Sequence, residues 1–284
     1  MKTKEKGKKL KLFIDTANID EIKETLSYGI LDGVTTNPSL IKKAVDERKR
    51  FGKKLDIESY IKDILRVCKG KPVSLEVVGR SHKEMVSQGK EIFKKFNPVA
   101  KNVYVKIPVN PCLEKNCNAN FDGIKAIKAL SAAKIPVNCT LIFTPEQAFL
   151  AAKAGAKIVS PFTGREDDYI RKMNRIKFEK TDYFPKEGFR KGKKILQDDG
   201  IVSGVDLISE CLEILRQSNL KTEVLAASIR NTRQFREVAE AGADIATVPF
   251  SIIKKLVEHK KTVEGMKTFT RDIVPEYKKL LNKK

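Results

Sequence analysis

Ala151-Ala152-Lys153-Ala154-Gly155-Ala156-Lys157-Ile158-Val159-Ser160-Pro161-Phe162 has a counterpart later in the chain, Val238-Ala239-Glu240-Ala241-Gly242-Ala243-Asp244-Ile245-Ala246-Thr247-Val248-Pro249-Phe250. Each reads as the end of a helix, a glycine just past it, and an apolar strand closed by proline. Eight short apolar runs follow one another along the sequence, at 11–16, 33–37, 73–78, 103–109, 137–143, 158–165, 222–228 and 245–249. Between most of them apolar residues recur at helical spacing, as in Ile22 and Leu26, or Ile57, Ile61, Ile64 and Leu65. Helix starts are visible too: Thr144-Pro145-Glu146-Gln147 supplies a capping hydroxyl, a proline in the first turn and a glutamine three residues on. Strands alternating with amphipathic helices make βα units on a parallel sheet. Eight such units in 284 residues predict an α/β fold, a single closed (β/α)8 TIM barrel with parallel strands. An open doubly wound sheet is the alternative, but no GxGxxG motif follows any strand.

Two segments break the rhythm. Residues 166–200 are basic and rich in turn formers, with Phe178, Tyr183, Phe184 and Phe189 among lysines. They read as an insertion after the sixth strand, either a lid or an extra surface helix. Residues 262–282 place Val263, Met266, Phe269, Ile273, Tyr277 and Leu280 at helical spacing, which predicts a C-terminal helix kinked near Pro275. Its apolar face is expected to pack on the barrel or on a neighbouring subunit. Residues 1–10 read as a basic N-terminal extension, and 11–284 as the barrel domain.

Composition narrows the class. A hydrophobic content of 41% supports a real core, and no apolar stretch approaches the length of a membrane span. No apolar signal core follows the basic N-terminus. Five cysteines match no disulfide framework or zinc pair, and Cys112 and Cys117 stand in a loop-like stretch with no second pair nearby. No metal is expected, and the chain reads as cytoplasmic and reduced. The net charge of +21, from 57 basic and 36 acidic residues, raises nucleic acid as a partner. However, the lysines are spread through the helix-like segments and interleaved with glutamates, as in Glu21-Ile22-Lys23-Glu24, and no zinc-finger or aromatic RNA-binding signature is present. A solvated basic surface that attracts small anions is the better reading.

Val103-Tyr104-Val105-Lys106-Ile107-Pro108 puts one amine in an apolar strand. Burying it as a cation is costly, which favours the free amine that attacks a carbonyl to form a Schiff base. A lysine at a strand edge could instead snorkel to water. Alternation across strands decides between these readings. Val103, Val105 and Ile107 face away from Lys106, towards a helix layer. On other strands Asp15 pairs with Phe13, Thr35 with Asn37, Ser74 with Glu76, Asn138 with Thr140, and Ser160 with Phe162. Ser228 opposes Leu225 and Ala227, while Cys139 and Leu141 oppose Asn138 and Thr140. Seven of the eight strands can therefore turn a polar group to one common side. A structural polar layer does not account for a lysine, two carboxylates and several amides and hydroxyls together. Arg165 and Arg230, each just past a strand, are suited to bidentate phosphate recognition and with Ser228 would form a clamp.

Phe13-Ile14-Asp15-Thr16-Ala17-Asn18, Gly33-Val34-Thr35-Thr36-Asn37-Pro38-Ser39-Leu40, Val105-Lys106-Ile107-Pro108, Ser160-Pro161-Phe162-Thr163-Gly164-Arg165 and Ala226-Ala227-Ser228-Ile229-Arg230 closely resemble the transaldolase family, in order, from about residue 11 to 280. The resemblance implies a (β/α)8 barrel with a Schiff-base lysine on the fourth strand, here Lys106. It implies transfer of a dihydroxyacetone unit from fructose 6-phosphate or sedoheptulose 7-phosphate to erythrose 4-phosphate or glyceraldehyde 3-phosphate. That reaction belongs to the non-oxidative pentose phosphate pathway and needs no cofactor, because the iminium is the electron sink. Carried over by position, Asp15 exchanges a proton with the C4 hydroxyl, while Glu76 and Thr140 hold a water that relays protons. Asn37 and Asn138 bind the dihydroxyacetone hydroxyls, Thr35, Ser160 and Phe162 line the site, and Arg165, Ser228 and Arg230 receive the phosphate. A sister branch, the fructose-6-phosphate aldolases, releases free dihydroxyacetone and typically carries glutamine at the position of Glu76 and tyrosine at that of Phe162. Asn138 and Ser160 also resemble transaldolase choices, so the transferase is the reading taken. The partners expected are sugar phosphates and further copies of this chain, with no membrane and no specific nucleic acid. The basic N-terminus and residues 166–200 fit the family pattern least well.

Overall fold

The computed structural model describes residues 9–50, 56–114 and 117–281. Of the basic segment 1–10, residues 1–8 lie outside the described residues. The strands are β1 (Lys11–Asp15), β2 (Gly33–Thr35), β3 (Val73–Glu76), β4 (Val103–Pro108), β5 (Val137–Ile142), β6 (Ile158–Pro161), β7 (Arg190–Lys191), β8 (Lys194–Ile195), β9 (Glu223–Ala226) and β10 (Ile245–Val248). All but β7 and β8 form one closed parallel barrel, β1-β10-β9-β6-β5-β4-β3-β2. This is the (β/α)8 architecture, and each apolar run read from the sequence supplies one barrel strand.

The helices are α1 (Ile19–Ser27), α2 (Pro38–Arg50), α3 (Ile57–Val67), α4 (His82–Ala100), α5 (Asp122–Ala132), α6 (Pro145–Ala154), α7 (Thr163–Met173), α8 (Gly204–Gln217), α9 (Thr232–Glu240), α10 (Phe250–Lys255), α11 (Lys260–Arg271) and α12 (Pro275–Leu281). Their boundaries have local causes. Thr144 caps α6 by accepting from the Gln147 backbone at 3.2 Å, and the Gln147 side chain accepts from Phe143 N at 2.8 Å. Gly155 then ends α6 at φ 103°, a left-handed conformation that costs glycine little. Ser81 and Glu84 form a full capping box on α4.

Val103, Val105 and Ile107 are fully buried against the helix layer, each contributing about 1.5–3 kcal/mol. Inside the barrel, Phe13, Ile158, Phe162, Leu225, Ala227 and Ile245 form a separate plug. Gly33 makes room for it: a Cβ there would lie 2.5 Å from the Phe13 ring. The apolar plug fills the barrel below a polar layer at the C-terminal ends of the strands.

Strict alternation fails at two places. Leu141 belongs to the interior, not to the outer face with Cys139, because it adopts φ 60° where the register between β5 and β6 shifts. Leu225 and Ala227 also face inward, so alternation would send Ser228 outward. The ladder of β9 ends at Ala226, however, and Ser228 at φ 62° turns back towards the barrel mouth.

The segment after β6 starts helically. Helix α7 begins at Thr163, ahead of residue 166, and its first turn is packed so closely that a Cβ on Gly204 would lie 1.9 Å from Thr163 O. Beyond it, Ile170, Phe184 and Leu196 make a small core joined by Ile176 and Phe189, with the β7–β8 hairpin at its edge. At the C-terminus the single kinked helix is two, broken ahead of Pro275. Neither α11 nor α12 buries a residue, so the expected packing on the barrel does not occur.

Cys112 and Cys117 form a disulfide, contrary to the reduced reading of all five cysteines. The Asn110 side chain accepts from Cys112 N at 2.9 Å, and the two cysteine Cα atoms stand 5.8 Å apart, within the span a disulfide bridges. Cys68, Cys139 and Cys211 are free and buried, and burial pushes the Cys68 thiol up to about 12. Among the described residues no helix is long and apolar enough to cross a membrane, and no three metal-ligating side chains converge.

Candidate active site

Register aligns the polar layer. Glu76 lies beside Lys106 across β3 and β4, Lys106 beside Asn138 across β4 and β5, and Pro108 beside Thr140. On the other side Asp15 lies beside Thr35, and Thr35 beside Ser74. A parallel ladder thus carries seven polar side chains from five consecutive strands onto the barrel interior. Asp15, Thr35, Glu76, Lys106 and Thr140 floor a cavity of about 960 Å³ at the C-terminal end of the barrel, the end at which such barrels place their chemistry.

Lys106 is 5% exposed, so it does not snorkel. Its Nζ lies 3.4 Å from Glu76 Oε2 and 3.4 Å from the Thr36 carbonyl oxygen. Thr35 Oγ1 donates to Asp15 Oδ1 at 2.6 Å and sits 2.6 Å from Thr247 Oγ1. Because the Thr35 proton goes to the carboxylate, Thr247 is the donor in the second bond. Ser160 donates to Asn138 Oδ1 at 2.6 Å, and Asn138 Nδ2 donates to Ser74 Oγ at 3.1 Å. The Asn138 amide is therefore held in one orientation. Thr140 Oγ1 is buried and lines the cavity without a protein hydrogen-bond partner.

Asn37 stands at the rim, where its Oδ1 accepts from Leu40 N at 3.0 Å to start α2. Arg165 lies over the Phe162 ring at 4.8 Å, and both line the cavity with Ser228 and Arg230. Arg230 Nη2 donates to Asp168 Oδ2 at 3.1 Å, while Arg230 Nε is buried without a partner. Burial pulls the Arg230 guanidinium below its ordinary range; Asp168 opposes that shift and the like charge of Arg165 adds to it. Gly164 is the condition for this arrangement. A Cβ there would lie 2.3 Å from Ser228 O and 2.6 Å from Arg230 Nε.

All the residues singled out from the sequence line this cavity except Asn138, which reaches it through its bond to Ser160. Thr247 was missed, although alternation from Ile245 on the eighth barrel strand points it inward. Asp168 was missed with less reason for finding it, since one acid among the charges of α7 has no sequence signal. Glu166 and Asp167 also stand out on α7. Burial, then the charges of Asp198 and Asp167, push Glu166 up to about 8. Burial pushes Asp167 up to about 7, although Gly204 N and Gln234 Nε2 donate to it at 2.7 Å and 2.6 Å.

These positions can be set against known proteins. A family model described as transaldolase/fructose-6-phosphate aldolase matches residues 12–283. A "Probable transaldolase" of Desulfatibacillum aliphaticivorans is 41% identical over 263 residues, covering 93% of this chain and 97% of that protein. Another "Probable transaldolase", from Thermoplasma acidophilum, is 39% identical, with 93% and 95% coverage. One from Methanococcus maripaludis is 40% identical, with 93% and 97% coverage. With a barrel lysine 3.4 Å from the Glu76 carboxylate and a match along nearly its whole length, the chain belongs to the transaldolase/fructose-6-phosphate aldolase family.

Proposed function

We propose that this chain is a transaldolase that carries a dihydroxyacetone unit on Lys106, from a ketose phosphate to an aldose phosphate. The observation that carries this reading is the buried Lys106 amine, 3.4 Å from Glu76 Oε2, on the floor of a cavity whose rim holds Arg165 and Arg230. Lys106 Nζ attacks the ketose C2 carbonyl, and loss of water gives an iminium. Asp15 takes the C4 hydroxyl proton, the C3–C4 bond breaks, and its electron pair moves into the iminium to give an enamine and a free aldose phosphate. The enamine carbon then attacks the acceptor aldehyde, Asp15 returns the proton, and hydrolysis frees Lys106.

Glu76 is close enough to Nζ to exchange its proton, and the unpartnered Thr140 hydroxyl supports a water shared with Glu76. The fixed amide of Asn138, with Asn37, Thr35 and Ser160, suits the hydroxyls of the dihydroxyacetone unit. Arg165, Ser228 and Arg230 suit the phosphate. The second reading within the family, release of free dihydroxyacetone, is disfavoured by Glu76 and Phe162, where that branch typically carries glutamine and tyrosine. Sugar phosphates then serve a pathway such as the non-oxidative pentose phosphate route in the cytoplasm.

Assembly with further copies of this chain completes the proposal. Val263, Met266, Phe269 and Tyr277 on α11 and α12 are all more than half exposed, a face that a second copy would cover.

Borohydride reduction in the presence of fructose 6-phosphate tests the chemistry. The protein should gain the mass of a reduced dihydroxyacetone adduct on Lys106, and Lys106→Met should gain none; an unchanged wild-type mass would remove the Schiff base. Turnover that needs erythrose 4-phosphate marks a transferase, whereas acceptor-independent release of dihydroxyacetone marks the aldolase.

A further inference from the structure

The phosphate-facing rim has a component outside the family motifs. Glu179 N donates to Asp182 Oδ2 at 2.8 Å and Asp182 N donates to Glu179 O at 3.0 Å, closing a tight turn with Lys180 and Thr181 at its tip. Thr181 O accepts from Asn231 Nδ2 at 3.3 Å, and Asn231 directly follows Arg230. Arg171 is buried, donates to Asp182 O at 3.1 Å and to Tyr183 O at 2.9 Å, and stacks on Phe178 and Phe184. The Tyr183 hydroxyl donates to Glu237 Oε1 at 2.8 Å, with Arg233 3.8 Å above its ring. The turn is thus fastened to α7, which carries Arg165, and to the start of α9, which follows Arg230. These contacts make the turn part of the cavity wall.

Lys180 lines the same cavity as Arg165, Ser228 and Arg230, and no carboxylate lies within ion-pair distance of it among the described residues. Arg230, by contrast, already shares its charge with Asp168. We infer that Lys180 is a third cation of the phosphate subsite, supplied by the segment between β6 and β9, and that it sets the preference for phosphorylated over unphosphorylated sugars. The phosphate group is common to donor and acceptor, so its contribution is the same in ground and transition states and acts on binding, not on the chemical step. A lysine suits this outer position: it is a point charge on a flexible stem and asks for no fixed angle, whereas the arginines behind it supply the directed hydrogen bonds.

This inference rests on the sugar-phosphate reading, and steady-state kinetics on the full chain separates the two. The parameters are KM and kcat for the ketose phosphate, and Ki for inorganic phosphate as a competitive inhibitor. They are measured for wild type, Lys180→Ala, Lys180→Arg, Arg230→Ala and Lys191→Ala, the last an exposed charge on β7 away from the cavity. Lys180→Ala should raise KM and Ki together by about three- to tenfold with kcat within about twofold, and Lys180→Arg should restore both. Lys191→Ala should leave them within about twofold, which excludes a general effect of the +21 charge. If Arg230→Ala raises both constants and Lys180→Ala neither, or if Lys191→Ala matches Lys180→Ala, the role of Lys180 is wrong and the phosphate subsite stands. If Arg230→Ala also changes neither, the phosphate reading of this rim fails with it.

Discussion

Thr247 Oγ1 lies 2.6 Å from Thr35 Oγ1, which itself donates to Asp15 at 2.6 Å, so the carboxylate proposed to move the C4 proton is oriented by a two-hydroxyl chain spanning three strands. Removing the far hydroxyl leaves the Thr35 oxygen short of a donor and frees Thr35 to rotate. Thr247→Val should lower kcat by about fivefold, the size of one neutral hydrogen bond near 1 kcal/mol, with KM little changed. Thr247→Ser should recover most of it. Steady-state rates of the two variants check this, and equal kcat for Thr247→Val and wild type would show that Asp15 is held by other means.

Gly164 lets Ser228 and Arg230 approach α7. The missing Cβ would sit 2.3 Å from Ser228 O and 2.6 Å from Arg230 Nε, and a backbone carbonyl cannot swing aside as a side-chain end can. Gly164→Ala should displace Arg230 by a fraction of an ångström and raise KM for the ketose phosphate about ten- to a hundredfold. Borohydride trapping of unphosphorylated dihydroxyacetone on Lys106 should be unaffected, because Lys106 stands on β4, separated by β5 from the strand that Gly164 follows, and the added Cβ meets Ser228 and Arg230. Equal losses with both compounds would instead indicate damage to the whole barrel.

How much of this was legible follows from where the backbone stays extended. Inside the ladders a period of two is enforced, so Lys106, Glu76, Asp15 and Asn138 could be placed on one face from spacing alone. Once a residue turns left-handed the rule no longer holds. Leu141 at φ 60° and Ser228 at φ 62° both point where alternation forbids. Ser228 kept its assigned place through its motif, not through its spacing. The Cys112–Cys117 disulfide was illegible for a different reason, since it depends on a loop approach of two Cα atoms to 5.8 Å that no periodicity records. Thr247 was legible and overlooked. The roles of Asp168 and Lys180 depend on how residues 166–200 fold against α9, which no local periodicity records.

Glu166 and Asp167 predict a stability that declines towards alkaline pH. Both hold protons in the folded chain at pH values where the unfolded chain has lost them: burial moves Glu166 from 4.5 to about 8 and Asp167 from 3.8 to about 7. Unfolding therefore releases protons across this window, and stability falls as pH rises through it. Their contribution is full below about pH 4 and gone above about pH 8, with a combined amplitude on the order of a few kcal/mol. Glu166→Gln, which cannot ionise, should flatten the upper part of the fall and match or exceed wild type near pH 8.5. Denaturant midpoints at about pH 5 and about pH 8.5 measure it. A wild-type midpoint that rises over this range would show that these carboxyls are ionised in the folded chain.

The apolar residues of α11 and α12 predict an assembly. Val263 at 55%, Met266 at 59% and Phe269 at 71% exposure repeat along one face of α11, and Tyr277 and Leu280 continue it on α12. Helices of 12 and 7 residues are marginal alone in water, so their stability must come from covering that face. Among the described residues nothing on the barrel does so, whereas a second copy offers the same stripe in return and can satisfy both by symmetry. Light scattering should therefore give a mass that is a multiple of 32.0 kDa. Met266→Lys combined with Phe269→Glu should reduce it to one chain, with the borohydride adduct on Lys106 still formed because the barrel floor lies elsewhere. A wild-type mass of one chain at micromolar concentration would mean that the stripe meets no copy of itself, and the double variant would then change neither mass nor activity.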